Sequence, residues 1–168
     1  MLKEKIITKD FEDLDKFKQL YRTAFPKAER VSLKYLLEKN ESGRLAACYD
    51  GDVFCGFYAA LTLGNITYIS FLAVEDELRD RGYGSQMLEV IRSHYSTQRI
   101  ILDIEAEDPS AANNDQRIRR KAFYKRNGYT ESGIKCVWRG VAYEILIRNG
   151  SMTEEEFDAF WDSIDDDE

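Results

Sequence analysis

The sequence predicts an α/β fold in which an α+β mixed sheet is flanked by helices. Three consecutive strand patterns with short glycine-containing turns predict an antiparallel meander. The last of these strands runs through a charged, glycine-containing loop into an amphipathic helix and a further strand, so these two strands are expected to lie parallel. The composition, with 43% hydrophobic and 33% charged residues, is that of one globular domain with a packed core.

The first half of the chain is predicted to fold as a strand, two helices and the meander. Residues 2–7 have the pattern of a strand. Apolar residues then recur at helical spacing from Phe11 until Pro26 ends the pattern. A second helix is predicted over residues 31–38, ended near Asn40 and Gly43. The three meander strands are placed at residues 44–49, Val53–Leu63 and Ile66–Val74.

The second half is predicted to begin with a charged loop and a helix that is entered through Gly82-Tyr83-Gly84. This helix has one apolar face, formed by Met87, Leu88, Ile91 and Tyr95. A strand, a helix that ends at Asn127-Gly128 and two closing strands follow at residues 100–105, 116–126, 129–135 and 137–148. Thr153 and Glu156 form a capping box, which predicts a terminal helix.

The net charge of −7 is unevenly distributed along the chain. Nine acidic residues and no basic one lie between Glu154 and Glu168, so the rest of the chain carries +2. Six cations fall within residues 117–126, and they either form a solvated helix face or hold a phosphorylated ligand. No apolar run reaches the ~20 residues of a membrane span, and the N-terminus lacks a signal peptide's apolar core. We therefore expect a cytoplasmic protein, a monomer or homodimer, that binds neither membrane nor nucleic acid.

The cysteines and the single histidine form no pattern typical of a metal site. Cys48, Cys55 and Cys136 include no CxxC pair, and His94 is the only histidine, so no bound metal is expected.

The register of the first hairpin bears on whether these cysteines can form a disulfide. An Asp50-Gly51 turn would place Tyr49 opposite Asp52, and Cys55 would then face Ala46 and not Cys48. This register offers no disulfide, and the thiols are expected to be reduced packing residues.

The loop between the fourth strand and the next helix is predicted to bind an anion. Its sequence is Arg79-Asp-Arg-Gly82-Tyr-Gly84. Glycines let a backbone approach a phosphate closely, and the first amides of the following helix point toward the phosphate. The loop resembles the pyrophosphate-binding signature of the GNAT acetyltransferase superfamily, in which Arg or Gln, two residues, Gly, one residue and Gly or Ala follow one another. Arg79, Gly82 and Gly84 match its fixed positions.

A second stretch strengthens the resemblance. The sequence Ala122-Phe-Tyr124-Lys-Arg-Asn-Gly128-Tyr129 is similar to a later GNAT motif, in which an aromatic pair on a helix is followed by a polar run, Gly and another aromatic residue. The two motifs occur in the family's order, and each lies on the expected element. The resemblance implies a single GNAT domain over residues 1–150. Residues 151–168 are expected to form an acidic helix and tail that is packed on this domain or appended to it.

The resemblance also implies a binding mode for acetyl-CoA, which serves as the acyl donor, with no metal. In this family the fourth and fifth strands form a parallel central pair that splays apart. Acetyl-CoA lies in the gap, and its pantetheine arm pairs with the fourth strand. The residues implied for the pantetheine arm are Leu72, Ala73 and Val74. Those implied for the pyrophosphate are Arg79, Arg81, Gly82, Tyr83, Gly84 and Ser85. Lys121 is a candidate for the nucleotide phosphates.

Direct acetyl transfer to an amine requires a base for the amine and an acid for the departing thiolate. By the family match, Tyr124 is the general acid. Asp103 and Glu105 lie on one face of the predicted strand and are the candidate bases. Glu105 is favoured slightly because it lies at the strand end. Without such a task, carboxylates inside a sheet need Arg or Lys partners.

Two positions depart from the family pattern. The family asparagine that lies seven residues before the helix tyrosine is Arg117 here, so Asn113 and Asn114 are left as candidates for its contact with the cofactor. The fourth-strand position that holds a base glutamate in histone-type members is Tyr68. The chain therefore does not have a plain histone acetyltransferase pattern.

The predicted function is an N-acetyltransferase that moves the acetyl group of acetyl-CoA to a primary amine of a small molecule or peptide. The alternative is a catalytically silent GNAT-fold module that binds acyl-CoA as a sensor. An active enzyme needs both a proton donor and a carboxylate, and Tyr124 with Asp103 and Glu105 meets that need, which favours the enzyme. No motif identifies the acceptor amine.

Overall fold

The structure is a computed structural model that describes residues 1–38 and 43–165. Its strands are β1 (Lys3–Ile6), β2 (Gly43–Asp50), β3 (Val53–Leu63), β4 (Ile66–Val74), β5 (Arg99–Glu105), β6 (Thr130–Trp138) and β7 (Val141–Arg148). Its helices are α1 (Leu14–Ala24), α2 (Leu33–Glu38), α3 (Tyr83–His94), α4 (Asn114–Arg126) and α5 (Glu154–Asp165). The order of elements agrees with the sequence prediction, and β3 and β4 have the predicted bounds. The predicted helix end near Asn40 lies outside the described residues.

The seven strands form one sheet in the order β1-β2-β3-β4-β5-β7-β6. The sheet is mostly antiparallel, and β4 and β5 form its parallel pair, in which Ile66 lies opposite Arg99 and Tyr68 opposite Ile101. The parallel arrangement follows from the helical connection between these two strands. The predicted fold class, a mixed α/β sheet flanked by helices, is confirmed.

The contacts divide the chain into two compact units. The first unit comprises Met1–Thr62 and Ile69–Ser96, and its core is rich in aromatic residues. Helix α1 buries Phe17 and Tyr21. Phe17 packs edge-on against Phe57 with ring centroids 4.8 Å apart, and Tyr21 packs against Phe71 at 5.3 Å. These edge-to-face contacts fix the helix on the sheet.

The predicted turn of the β2–β3 hairpin is displaced by one residue, so Tyr49 pairs with Phe54 and not with Asp52. Asp50 pairs with Val53, so the two turn residues are Gly51 and Asp52 and not Asp50 and Gly51. Gly51 has φ +59°, a conformation that favours glycine, and this requirement sets the turn. A register shift next to Cys48 then places that residue opposite Gly56.

The cysteines lie on this hairpin and on β6. Cys48 and Cys55 are buried, Cys136 is half-buried, and all three are free thiols. Burial raises the pKa of Cys48 to about 12, so this thiol stays protonated at neutral pH.

The second unit comprises Leu63–Tyr68 and the chain from Thr97 onward. Strand β7 pairs antiparallel with both β5 and β6. The β6–β7 turn lies at Arg139-Gly140, three residues after its predicted place at Cys136. Both turn residues have positive φ, +50° and +79°. The predicted end of β6 at residue 135 is three residues too early. The signal for the turn is the Arg-Gly pair, because glycine adopts a positive φ at low cost.

Helix α5 belongs to the second unit and has the predicted capping box. The Glu156 amide donates to the Thr153 hydroxyl at 3.1 Å, and the Thr153 amide donates to the Glu156 carboxylate at 3.2 Å. Among the described residues no helix has the length and apolar composition needed to cross a membrane.

Gly56 gives a test of the packing in the first unit. Its missing side chain lets β3 lie against the backbone of β4, because a Cβ there would overlap the Ala73 carbonyl oxygen. Gly56→Ala is therefore expected to lower the free energy of unfolding in urea by about 2 kcal/mol or more. The control is Val53→Ala on the exposed end of the same strand, which should stay within about 0.5 kcal/mol of wild type. A wild-type value for Gly56→Ala would show that β4 moves away freely.

Candidate functional site

The loop before α3, in the first unit, has the geometry of an anion site. Gly82 precedes the helix with φ +82°, a left-handed conformation that favours glycine. The first helical hydrogen bond runs from the Gln86 amide to the Gly82 carbonyl at 3.1 Å. The amides of Tyr83, Gly84 and Ser85 therefore have no helical acceptor and carry the positive end of the helix dipole.

Side chains around this loop fix it and add positive charge. The Tyr83 hydroxyl donates to the Asp50 carboxylate at 2.7 Å, which joins α3 to the end of β2 and raises the pKa of Tyr83. Arg79 pairs with Asp76 at 3.0 Å. Arg81 is exposed and forms no ion pair with any residue that the structure describes. Its guanidinium is thus available to an anion at the loop.

The end of β4 lies in the same unit. Ala73 is buried, whereas Leu72 and Val74 are half-buried. The Glu75 amide donates to the Cys55 carbonyl at 2.9 Å, so β3 holds the chain immediately after β4. The segment 72–74 is therefore held in place by backbone hydrogen bonding and by the close approach at Gly56.

Asp103 lies in the middle of β5, in the second unit. Its carboxylate accepts a hydrogen bond of 3.0 Å from the Tyr68 hydroxyl. Burial raises the pKa of Asp103, and the hydrogen bond from Tyr68 opposes this shift. Burial and the neighbouring Asp103 charge raise the pKa of Tyr68 well above its usual range. Asp103 is therefore a desolvated carboxylate with a neutral hydrogen-bond donor, and a raised pKa makes it a stronger base.

Glu105 ends the same strand but has a different partner. Its carboxylate forms an ion pair of 2.7 Å with Arg117. Arg117 also donates to the Ala106 carbonyl at 3.0 Å and to the Asn113 side chain at 2.9 Å. The residue at the family's asparagine position thus holds the end of β5, and the Glu105 charge is compensated by a cation.

Tyr124 lies on α4, in the same unit as Asp103. Its ring packs edge-on against Phe123 at 5.2 Å and Tyr129 at 5.8 Å. Burial raises the pKa of Tyr124 to about 12, the Arg120 charge opposes this shift, and the Asp103 charge adds a smaller raising contribution. The Tyr124 hydroxyl makes no hydrogen bond to any of the described residues. This phenol is protonated at neutral pH and free to donate to a ligand.

The remaining predicted ligands have partners inside the protein. Lys121 pairs with Glu131 at 2.9 Å and with Glu144 at 3.0 Å, which raises its pKa. Asn113 accepts from Arg117, and Asn114 accepts from the Asp108 amide at 2.8 Å. These contacts hold the loop and α4 in place. Because two carboxylates already compensate the charge of Lys121, this residue is not free to bind a phosphate. Within residues 1–38 and 43–165, no group of acidic, Cys or His residues is arranged to hold a metal ion.

The sequence patterns predicted Arg or Lys partners for Asp103 in general and did not identify Tyr68 as its partner. Tyr68 was identified only as the residue at the position of the histone-type glutamate. The parallel register that sets Tyr68 opposite Ile101, two residues before Asp103, supplies the missing information. Strand alternation alone showed that Asp103 and Ile101 share a face of β5. It could not show which residue of β4 lies beside them.

Comparisons with known proteins show the family and the fold of the chain. The family model of the acetyltransferase (GNAT) domain matches residues 41–131. A search of curated proteins gave no significant match. A solved structure of a protein from Bacteroides thetaiotaomicron, assigned to the GNAT acetyltransferases, is similar with a TM-score of 0.78 and 21% identity, over 94% of this chain and 93% of that one.

Two further structures share the fold at lower identity. An acetyltransferase from Bacillus subtilis in complex with CoA has a TM-score of 0.64 and 17% identity, over 89% of this chain and 99% of that one. The aminoglycoside 6'-N-acetyltransferase from Enterococcus faecium has a TM-score of 0.66 and 16% identity, over 87% and 96% of the two chains. The family match covers more than half of the sequence and includes the loop before α3 and the Tyr124 motif. The chain therefore belongs to the GNAT acetyltransferase family.

Proposed function

We propose that this protein is an acetyl-CoA-dependent N-acetyltransferase that transfers the acetyl group directly to a primary amine. The observation that carries the proposal is a pair of proton-transfer groups in the second unit, the desolvated Asp103 carboxylate and the Tyr124 hydroxyl. Within residues 1–38 and 43–165, Asp103 has no cationic partner and the Tyr124 hydroxyl makes no hydrogen bond. The family assignment and the CoA complex of the Bacillus subtilis relative support CoA as the donor.

The loop before α3 is the proposed site for the pyrophosphate of CoA. The amides of Tyr83, Gly84 and Ser85 would bind phosphate oxygens, and the unpaired Arg81 would compensate their charge. Arg79 stays a candidate second cation. By the family resemblance, the segment 72–74 would pair with the pantetheine arm, and a backbone amide there would polarise the thioester carbonyl. Lys121 is not part of the proposed site because two carboxylates already compensate its charge.

Asp103 is the proposed base, in preference to Glu105. The acceptor enters as an ammonium ion, and the base removes one proton so that the nitrogen lone pair can attack the acetyl carbonyl carbon. Protonation of Glu105 would cost its ion pair with Arg117, whereas Asp103 would keep its neutral donor Tyr68. The raised pKa of Asp103 also favours acceptance of a proton.

Tyr124 is the proposed acid. When the tetrahedral intermediate collapses, the carbon–sulfur bond breaks and the CoA thiolate takes the proton of the Tyr124 hydroxyl. The Tyr124 phenolate then recovers a proton from the acylated nitrogen, directly or through water, because that nitrogen still carries one proton more than the product amide. A phenol with a pKa of about 12 is fully protonated at neutral pH. Burial raises the free energy of both anions, the Tyr124 phenolate and the CoA thiolate. Desolvation alone therefore does not keep the thiolate from taking the proton of Tyr124.

The proposed function is tested with purified protein, acetyl-CoA and a panel of amines that includes polyamines, amino acids, aminoglycosides and peptides with free N-termini. Release of the CoA thiol is the readout. Amine-dependent release supports the transferase. Tight CoA binding without release of the thiol for any amine of the panel would favour the silent acyl-CoA-binding module.

Gly84→Val is expected to weaken CoA binding about tenfold, because the side chain would push the pyrophosphate away from the first amides of α3. The control is Gln86→Val, which places the same β-branched residue two positions later on an exposed part of α3. Titration calorimetry with CoA measures both. Equal affinities for Gly84→Val and wild type would remove the pyrophosphate from this loop.

Tyr124→Phe is expected to lower kcat about 100-fold or more, with little change in CoA affinity, because it removes only the proton donor. Tyr129→Phe is the matched control, since the buried Tyr129 hydroxyl has no hydrogen-bond partner in the described structure. Its kcat should remain near wild type. A Tyr124→Phe enzyme with unchanged kcat would return Tyr124 to a packing role.

Asp103→Asn is expected to lower kcat/KM about 100-fold and to remove the acidic limb of its pH profile, because the proton acceptor is gone. Glu105→Gln should retain that limb and lose mainly stability, since Arg117 is left without its carboxylate partner. Profiles from pH 6 to 9 compare the two variants. If Glu105→Gln alone loses the limb, Glu105 is the base; if neither does, the amine arrives neutral or loses its proton to water.

A further inference from the structure

Helix α5 is tied at its N-terminus to the start of β5. Arg99, the first residue of β5, pairs with Glu156 at 2.7 Å and donates to the Ser151 carbonyl at 2.9 Å. Arg99 also lies in register with Ile66, two residues before Tyr68 on β4. These contacts and the capping box fix where α5 begins relative to the β4–β5 pair.

The apolar face of α5 packs on the Tyr68 ring. Phe157, Phe160 and Ile164 of this face are buried. Trp161 contacts the Tyr68 ring edge-on with centroids 5.0 Å apart, and Phe160 does so at 6.4 Å. Tyr68 is itself only 8% exposed, so the two α5 side chains restrict the rotation of its ring.

The Tyr68 ring, once held, places one hydroxyl against the Asp103 carboxylate at 3.0 Å. We propose that Tyr68 is a positioning residue for the Asp103 carboxylate, and that Trp161 of the C-terminal helix holds Tyr68 in that position. The catalytic meaning of this inference rests on the proposed function, in which Asp103 is the base. The helix after the family-matched region is thereby part of the reaction machinery without touching substrate.

The groups around Asp103 define the direction of the expected effect. Those that interact with it electrostatically are Tyr68 on β4, Tyr124 on α4 and Cys136 on β6. One step further out, Tyr143 on β7 interacts with Tyr68, and Arg120 on α4 interacts with Tyr124. Among the described residues, the groups that act on Asp103 itself include no cation. The acidic residues Asp158 and Asp162 of α5 are exposed.

The Tyr68 hydroxyl is therefore the neighbouring donor that stabilises the charged form of Asp103. Burial raises the pKa of this carboxyl, and the hydrogen bond lowers it. The backbone amide of Asp103 also lowers the pKa, but by less. Removing the Tyr68 hydroxyl removes the larger of the two lowering contributions, so the carboxylate should take up its proton at a higher pH.

The test is a titration of the Asp103 carboxyl carbon by 13C NMR with labelled aspartate, together with kcat/KM against pH. In Tyr68→Phe the Asp103 midpoint should rise by about one pH unit, and the acidic limb of kcat/KM should move with it. Trp161→Ala should give a smaller shift in the same direction. Trp161→Phe keeps an aromatic edge against Tyr68 and should restore the wild-type midpoint.

The matched control is Tyr58→Phe in the first unit. It also removes a buried tyrosine hydroxyl that donates to a carboxylate, that of Glu4. This variant should leave the Asp103 midpoint and the pH profile unchanged. If Tyr68→Phe does not fold, the comparison of Trp161→Ala with Trp161→Phe decides the question on the same two readouts.

The outcomes separate this inference from the proposed function. An Asp103 midpoint that does not move in Tyr68→Phe, or moves in Trp161→Ala without recovery in Trp161→Phe, overturns the inference even when Asp103→Asn is inactive. A shifted midpoint in an enzyme whose Asp103→Asn variant retains wild-type kcat/KM supports the positioning contact and overturns the assignment of the base.

Discussion

A carboxylate in the middle of an otherwise apolar strand is the constraint on which the second unit depends. Strand β5 reads RIILDIE, and four of its five central residues are buried isoleucine or leucine side chains. Asp103 interrupts this series and loses most of its hydration on folding, which is costly unless a hydrogen bond compensates. The Tyr68 hydroxyl provides that bond. The register of β4 and β5 and the packing of α5 on Tyr68 must both be correct for the bond to form.

The two carboxylates on one face of β5, those of Asp103 and Glu105, differ in the residue that each contacts. Glu105 meets a permanent cation, Arg117, and Asp103 meets a neutral phenol. An ion pair compensates the charge of Glu105, whereas desolvation beside a neutral donor raises the pKa of Asp103. The two carboxylates on one face of β5 are therefore suited to different roles, structure for Glu105 and proton transfer for Asp103.

The positively charged groups of α4 and of the loop before α3 also differ in whether carboxylates compensate them. Three of the six cations on α4 form ion pairs: Arg117 with Glu105, Lys121 with two carboxylates and Lys125 with Glu131. The other three are exposed. The two lysines lower the pKa of Glu131 to about 2, so the carboxylate stays ionised across the working pH range. At the loop before α3 the donors are mainly backbone amides, which remain uncompensated because helix geometry gives the first turn no acceptors. The proposed anion site thus depends mainly on backbone amides, and half of the cations on α4 are paired within the protein.

The sequence by itself determined the order of elements, the parallel β4–β5 connection, the capping box of α5 and the glycine loop before α3. Each depends on local chemistry: hydrophobic periodicity, turn and cap residues, and the conformational freedom of Gly82. Only the tertiary structure decided the position of the β2–β3 turn after Asp50 and of the β6–β7 turn at Arg139-Gly140. It also decided that Arg117 pairs with Glu105 and that Tyr68 donates to Asp103. These depend on which residues of separate strands and helices face one another. A pattern with period two or 3.6 shows the face on which a side chain lies, but the partner on that face is set by packing between segments that are distant in the chain.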